Sequence, residues 1–191
     1  MSRITVVIPL REGGSPETTL RSLGGQTFKD FDIVVSHDRE QNANAARNNG
    51  FREVDTEFVL FSDDDIDWVP SALQQMVDCL DTHPEVSYAY GAYEMDGKIQ
   101  CNVKFDPDLL RRKNYISTMS LIRAEHFPYF DEEIHRLQDW ELYLTMLERG
   151  HTGIYVENLL FHTQMRPGIT YGDNISWQDA VVVVQGKHGI A

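Results

Sequence analysis

The sequence predicts an α/β fold: a mixed, mostly parallel central sheet flanked by helices. Three observations lead there. Short apolar runs at residues 4–9, 31–35 and 58–61 read as strands buried on both faces. Helical patterns separate them, which is the β-α-β-α-β order of a parallel sheet with right-handed crossovers. Past residue 80 the order changes. Runs at 86–93 and 98–103 flank Asp96-Gly97, a hairpin signal, so a parallel half gives way to a mixed half.

Taken in order, the strand at 4–9 leads to a loop at 11–14. Ser15, Pro16 and Glu17 then supply an N-cap, a first-turn proline and an acid at the positive end of a helix that Gly24-Gly25 closes. The strand at 31–35 closes on Ser36, His37 and Asp38. A helix over 42–54 follows, with Ala43, Ala46, Phe51 and Val54 on one face. The strand at 58–61 opens into Ser62, Asp63, Asp64 and Asp65, with Asp67 just beyond. A helix at 70–80 places Leu73, Met76, Val77 and Leu80 at core spacing. A short helix at 107–112, an extended segment at 116–122 and a helix with Trp140, Tyr143, Leu144 and Leu147 on its apolar stripe come next. Two strands at 152–156 and 159–163 and a loop at 165–174 lead to a tail that reads as a helix from the capping box of Ser176 and Asp179, with a strand at 181–184 as the alternative. No internal repeat or linker interrupts the order.

Composition bounds the function. The chain has 191 residues, 41% of them hydrophobic, and a net charge of −13. That charge excludes non-specific nucleic-acid binding, which needs clustered Lys and Arg. Cys79 and Cys101 suit neither a disulfide framework nor a zinc site and read as free thiols. No run approaches the ~20 apolar residues of a membrane span, and the start lacks the pattern of a signal peptide. The expected location is the cytoplasm, with contact to a membrane only at its periphery.

Chemistry concentrates where the apolar runs end. Asp63 to Asp65 follow one run, Asp38 another, and Pro9 to Glu12 the first. Parallel strands deliver these groups to one sheet edge, where α/β sheets bind ligands. Packed carboxylates repel unless water, hydrogen bonds or a cation offsets them, and hard divalent cations prefer carboxylate and phosphate oxygens. The residues therefore point to a metal–diphosphate site, with Mn2+ or Mg2+ as cofactor.

The ordered segments Val-Val-Ile-Pro, Thr-Leu-Arg-Ser-Leu-Gly-Gly-Gln-Thr (19–27), Phe-Asp-Ile-Val-Val-Ser-His-Asp (31–38), Ala-Arg-Asn-Asn-Gly (46–50) and Phe-Ser-Asp-Asp-Asp (61–65) resemble the family-2 glycosyltransferases of GT-A fold. Residues 120–127 resemble that family's strand ending in Arg before a short helix. Phe130-Asp131 and Gln138-Asp139-Trp140-Glu141-Leu142 resemble its Phe-Asp-Glu and Glu-Asp-Trp segments. The resemblance implies a Rossmann-like nucleotide-diphospho-sugar transferase domain, with a nucleotide-binding half at about 1–93, an acceptor half at about 94–174 and a tail at 175–191. It implies inverting transfer of a sugar from a nucleotide-diphosphate donor, a UDP-sugar, to an acceptor hydroxyl.

Residue by residue, Asp63 and Asp65 match the family's Asp-x-Asp. Asp65 is assigned to the metal and Asp63 to the ribose or the metal, with Asp64 and Pro9 beside the nucleotide. Asp38 is expected on the nucleobase and Arg47 on the diphosphate or on an acid of the pocket; the alternative for Arg47 is a surface helix arginine. Glu12 fits the family's first loop. Asp139 matches the catalytic base, its alternative being a helix cap. His162 resembles a late metal ligand, and Arg166 is placed to reach the diphosphate as Gly168 and Gly172 let its loop move. The chain departs from the pattern at Leu10-Arg11, His37 and Gln138; loss of an acid at Gln138 is expected to ease ionisation of Asp139. The acceptor, whether glycan, lipid-linked sugar or small molecule, stays open, as does a homo-oligomer. A non-catalytic nucleotide-sugar-binding scaffold and a nucleotidyltransferase are the rival readings.

Overall fold

A computed structural model describes residues 2–38, 42–165 and 175–190. Its strands are β1 (Ile4–Arg11), β2 (Phe31–Asp38), β3 (Phe58–Phe61), β4 (Asp67–Trp68), β5 (Tyr88–Met95), β6 (Lys98–Gln100), β7 (Leu121–Arg123) and β8 (Gly153–Thr163). Its helices are α1 (Glu17–Gly24), α2 (Ala43–Phe51), α3 (Ala72–Thr82), α4 (Pro107–Arg112), α5 (Gln138–Glu148) and α6 (Trp177–Lys187), with a 3-10 turn at Ala124–His126. The strands form one sheet of order β2-β1-β3-β7-β5-β8-β4, with β6 hairpinned onto β5. β2, β1, β3, β5 and β8 share one direction; β7, β4 and β6 oppose it.

Alternation along the strands explains the layers. Ile4, Val6, Ile8, Phe58, Leu60, Ala89 and Leu121 pack on one face with Leu23 of α1 and Leu73, Met76, Val77 and Leu80 of α3. Val7, Val59, Phe61, Tyr88, Tyr90 and Ile122 pack on the other with Leu110 of α4, Trp140 and Tyr143 of α5 and Val184 of α6. Neighbouring residues of one strand thus feed two cores, which is why the central strands read as unbroken apolar runs. The Asp96-Gly97 hairpin is present, both residues having positive φ (50° and 76°) in the two-residue loop between Met95 and Lys98.

Several boundaries differ from the sequence reading. Pro16, not Ser15, sits at the N-cap of α1; Ser15 Oγ accepts the Glu17 N–H only at 3.4 Å. α2 stops at Phe51, and residues 52–54 continue as tight turns through the Glu53-to-Gly50 and Val54-to-Phe51 bonds. The segment at 116–122 pairs only at its end, because Ser117 and Ser120 bond locally: Met119 N–H donates to Ser117 Oγ and Ser120 Oγ to the Ser117 carbonyl. The two expected C-terminal strands are one strand, β8, whose register against β5 shifts twice around Ala92. Such a bulge absorbs extra residues without ending the strand. The loop glycines Gly168 and Gly172 lie outside the described residues.

Gly50 shows why α2 can lie so close to the sheet. A Cβ there would stand 2.5 Å from Val7 Cγ1 and 3.1 Å from Ser36 Cβ. Val7 is fully buried and cannot yield. Gly50→Ala is therefore expected to destabilise the fold by about 1–3 kcal/mol, read as a lower midpoint in urea unfolding with an unchanged slope.

Candidate functional site

All five co-directional strands end at one edge of the sheet, and a cleft of about 600 Å³ opens there. Pro9 and Arg11 reach it from β1, Asp38 from β2, Asp63, Asp64 and Asp65 from the turn after β3, Tyr93 and Met95 from β5, and Thr163 from β8. Asn42, Asn44 and Arg47 of the α2 region, Ser117 to Met119, and Arg136, Gln138 and Asp139 around the start of α5 close it. The volume is that of an ordinary small-molecule site.

The acidic turn is held from below by α1. Thr19, fully buried, donates its hydroxyl to the Asp63 carbonyl at 2.8 Å and accepts the Ile66 N–H at 2.9 Å. Ser22 donates to the Ile66 carbonyl at 3.1 Å, and Trp68 Nε1 donates to Ser62 Oγ at 2.9 Å. Gln26 extends the clamp, donating to the Val69 carbonyl and accepting the Leu73 N–H at the start of α3. Charge repulsion among the aspartates is thus opposed by backbone bonds made far from the carboxylates.

Arg47 is buried, at 3% exposure, rather than lying on a helix surface. Its Nη2 donates to Asp63 Oδ1 at 2.7 Å, its Nη1 to Asn44 Oδ1 at 3.2 Å, and its guanidinium lies 5.4 Å from the Phe130 ring centre. Of the two roles expected for it, the partner in this structure is the acid of the pocket. Three asparagines fasten the same helix to residues 130–134. Asn44 Nδ2 donates to the Asp131 and Ile134 carbonyls, Asn42 Nδ2 to the Glu132 carbonyl, and Asn48 Nδ2 to the Phe130 carbonyl while its Oδ1 accepts the Phe130 N–H.

That loop leads into α5, whose N-cap is Leu137 in a left-handed conformation (φ 64°). Asp139 is not the cap but lies in the first turn. Its Oδ1 accepts Asn114 Nδ2 at 2.8 Å and the Trp140 N–H at 2.9 Å. Burial pushes the Asp139 carboxyl above the usual aspartate range, against the lowering pull of those hydrogen bonds and of the Arg47 charge. Desolvation dominates this carboxyl, and the absence of an acid at Gln138 spares it a further upward push.

Of the residues singled out from sequence, Pro9, Asp38, Arg47, Asp63, Asp64, Asp65 and Asp139 meet in this one cleft. Asp38 is buried, and its Oδ1 accepts the Asn42 N–H at 2.9 Å. Two are not brought there. Glu12 is exposed in the loop after β1 and does not line the cleft. His162 pairs across strands with Asp67 and Glu94, 3.6 Å from the Glu94 carboxylate, while its neighbour Thr163 faces the cleft; strand alternation turns the histidine away. Arg166 lies outside the described residues. The sequence reading missed Asn114, Arg136, Trp177 and the asparagine set. The asparagines left a signal: Asn44, Asn48 and Asn49 crowd one short helix although asparagine disfavours helix interiors.

The carboxylates are hard oxygen donors and suit Mg2+ or Mn2+. Among the described residues, no three His, Cys, Asp or Glu side chains gather closely enough to enclose an ion by themselves.

Residues 13–126, more than half of the chain, match the family described as Glycosyl transferase family 2. The chain belongs to glycosyl transferase family 2. Its family-2 fold is similar to that of S. aureus TarS. A crystal structure of TarS 1–349 matches at 16% identity and TM-score 0.70, covering 86% of this chain and 60% of that one. TarS 1–349 in complex with UDP-GlcNAc matches at 16% identity and TM-score 0.75, over 96% of this chain and 64% of the other. The complex with UDP matches at 16% identity and TM-score 0.69, over 98% and 70%. The chain thus spans under two thirds of the first two TarS chains. No curated protein matches it. Among the described residues, no helix is long and apolar enough to cross a membrane.

Thr19 supplies a direct test of the clamp. Thr19→Val keeps the shape but leaves the Ile66 N–H without its partner and the Asp63 carbonyl with only the Ser62 hydroxyl, at 3.2 Å. Loss of about 1–3 kcal/mol per stranded group is expected in urea unfolding, with faster amide exchange at Ile66.

Proposed function

We propose that this chain carries out metal-dependent, inverting transfer of a sugar from a UDP-sugar to an acceptor hydroxyl. The observation that carries the reading is that Asp139, from the second half of the chain, opens into the same cleft as Asp38 and Asp63 to Asp65 from the first. A leaving diphosphate and an attacking hydroxyl need opposite charge chemistry within one site, and these two groups of carboxylates offer it. Family membership and the fold shared with TarS, whose structures include UDP-GlcNAc and UDP complexes, support the same reading.

In this reading Asp38 accepts an N–H of the nucleobase at the end of β2. Asp65 holds a divalent cation, which supplies neutralisation of the charge that develops on the diphosphate. Asp63 stays with Arg47 and offers its remaining oxygen to the ribose. Asp139 takes the acceptor's proton as the new bond forms, giving inversion in a single displacement. Asn114 and the Trp140 N–H fix Oδ1, so Oδ2 is the oxygen turned to the acceptor. A carboxyl raised by burial is a stronger base than a solvated aspartate, which suits that task.

The test is Asp139→Asn, followed by calorimetry and by turnover of UDP-sugars. Mn2+-dependent UDP binding is expected to persist while transfer or donor hydrolysis falls about 10²-fold or more. Wild-type turnover is expected to rise with pH through an acid limb lying above the ordinary aspartate value of 3.8, and the variant to lack that limb. Stability runs the other way. A raised native pKa favours the folded state below 3.8 and loses that contribution as pH climbs through the native value. Asp139→Asn is therefore expected to melt higher than wild type at pH 7, the difference fading toward pH 3. Unchanged turnover removes Asp139 from the chemistry; no UDP binding with or without Mn2+ removes the transferase reading.

A further inference from the structure

Among the described residues, three arginines line the cleft: Arg11, Arg47 and Arg136. Arg47 is committed to Asp63. Arg136 is different. Its Nη1 donates to the Ile175 carbonyl at 3.1 Å, its guanidinium lies 5.6 Å from the Trp177 ring centre, and its Nε is buried without a hydrogen-bond partner. Among the described residues no carboxylate forms an ion pair with it, in a chain that has 30 acidic residues against 17 Lys and Arg. A guanidinium carries five N–H donors in a planar fork, and most of those of Arg136 are unspent. Such a fork matches the oxygens of a phosphoryl or carboxylate group.

Trp177 stands beside it at the first position of α6, 49% exposed and lining the same cleft. Exposed indole rings bind the flat apolar faces of ligands while their rims stay wet. Here the ring is steadied on one side by the Arg136 charge. α6 in turn is braced on α5: Lys187 bonds Asp131 and Glu141, and His188 Nδ1 lies 2.8 Å from Glu148. The platform therefore belongs to the packed body of the protein. Arg136 also precedes Asp139 by three residues, at the start of the helix that carries the candidate base. Neither Arg136 nor Trp177 comes from the strands that end in Asp38 and Asp63 to Asp65.

We propose that Arg136 and Trp177 form an acceptor subsite for an anionic sugar, Trp177 stacking on the ring and Arg136 binding its phosphoryl or carboxylate group. The proposal rests on the transferase reading for its name as an acceptor site, but the binding chemistry stands apart from it.

The probes are glucose 6-phosphate, glucuronate and glucose, titrated into the free protein and into protein saturated with Mn2+ and UDP. At least one anionic sugar is expected to bind about tenfold or more tighter than glucose, with and without UDP present. Arg136→Gln is expected to abolish that preference and leave UDP affinity unchanged, with Arg136→Lys recovering part of it. Trp177→Ala is expected to weaken all three sugars together. An equal response to glucose and to both anionic sugars overturns the proposal. So does displacement of the anionic sugar by UDP together with loss of UDP affinity in Arg136→Gln, which assigns Arg136 to the donor diphosphate. If UDP binds to no variant while the anionic preference persists, the transferase reading fails and the anionic-sugar site remains.

Discussion

The pairing of buried Arg47 with the part-exposed carboxylate of Asp63 is the constraint on which the site depends. A sheet edge that collects Asp38, Asp63, Asp64 and Asp65 accumulates charge that opposes folding. Arg47 answers it from within: only 4% of its side chain is exposed, and it reaches Asp63 at 2.7 Å. Breaking such a pair by removing one partner is costly, because a buried charge is left behind. The same guanidinium lies near the Phe130 ring and also lowers the Asp139 carboxyl through its charge. One side chain therefore links the acids of the first half of the chain to the acid of the second. It also spends one oxygen of Asp63.

Around that pair, polar contacts position rather than merely stabilise. α1 grips the acidic turn by its backbone through Thr19 and Ser22, so the carboxylates remain turned to the cleft. α2 grips residues 130–134 through Asn42, Asn44 and Asn48, and that loop feeds the helix bearing Asp139. One helix, α2, thereby touches both the acidic turn, through Arg47, and the loop that leads to Asp139. The parallel direction of β1, β2 and β3 supplies the common edge, and the packing of both sheet faces makes it rigid.

Much of this was legible in the sequence, for physical reasons. Strands buried on both faces leave apolar runs, and their polar endings mark one sheet edge; hence β1, β2 and β3, and the gathering of the acids after them at one cleft, were legible. The tail was open to helix or strand because residues 181–184 suit both; the cap decides it, Ser176 accepting the Asp179 N–H. Asp139 was found only through the resemblance, since an aspartate beside a helix start is locally indistinguishable from a cap. The limits of β8 were misjudged because a bulge and a strand break look alike in a one-dimensional pattern. His162 was placed at the right sheet edge but on the wrong face, a one-residue matter of strand parity. Arg136 and Trp177 left no sequence signal, because their meaning arises from a contact between segments distant in the chain.

The most direct measurement of the shared carboxylate site is anomalous diffraction from crystals soaked with Mn2+ and UDP. Expected is one manganese position beside Asp65 in contact with the diphosphate, with Asp63 still on Arg47 and Asp139 facing the same cleft. Manganese held by His162 and Glu94, or a nucleotide seated away from the hollow shared by Asp38 and Asp139, contradicts it.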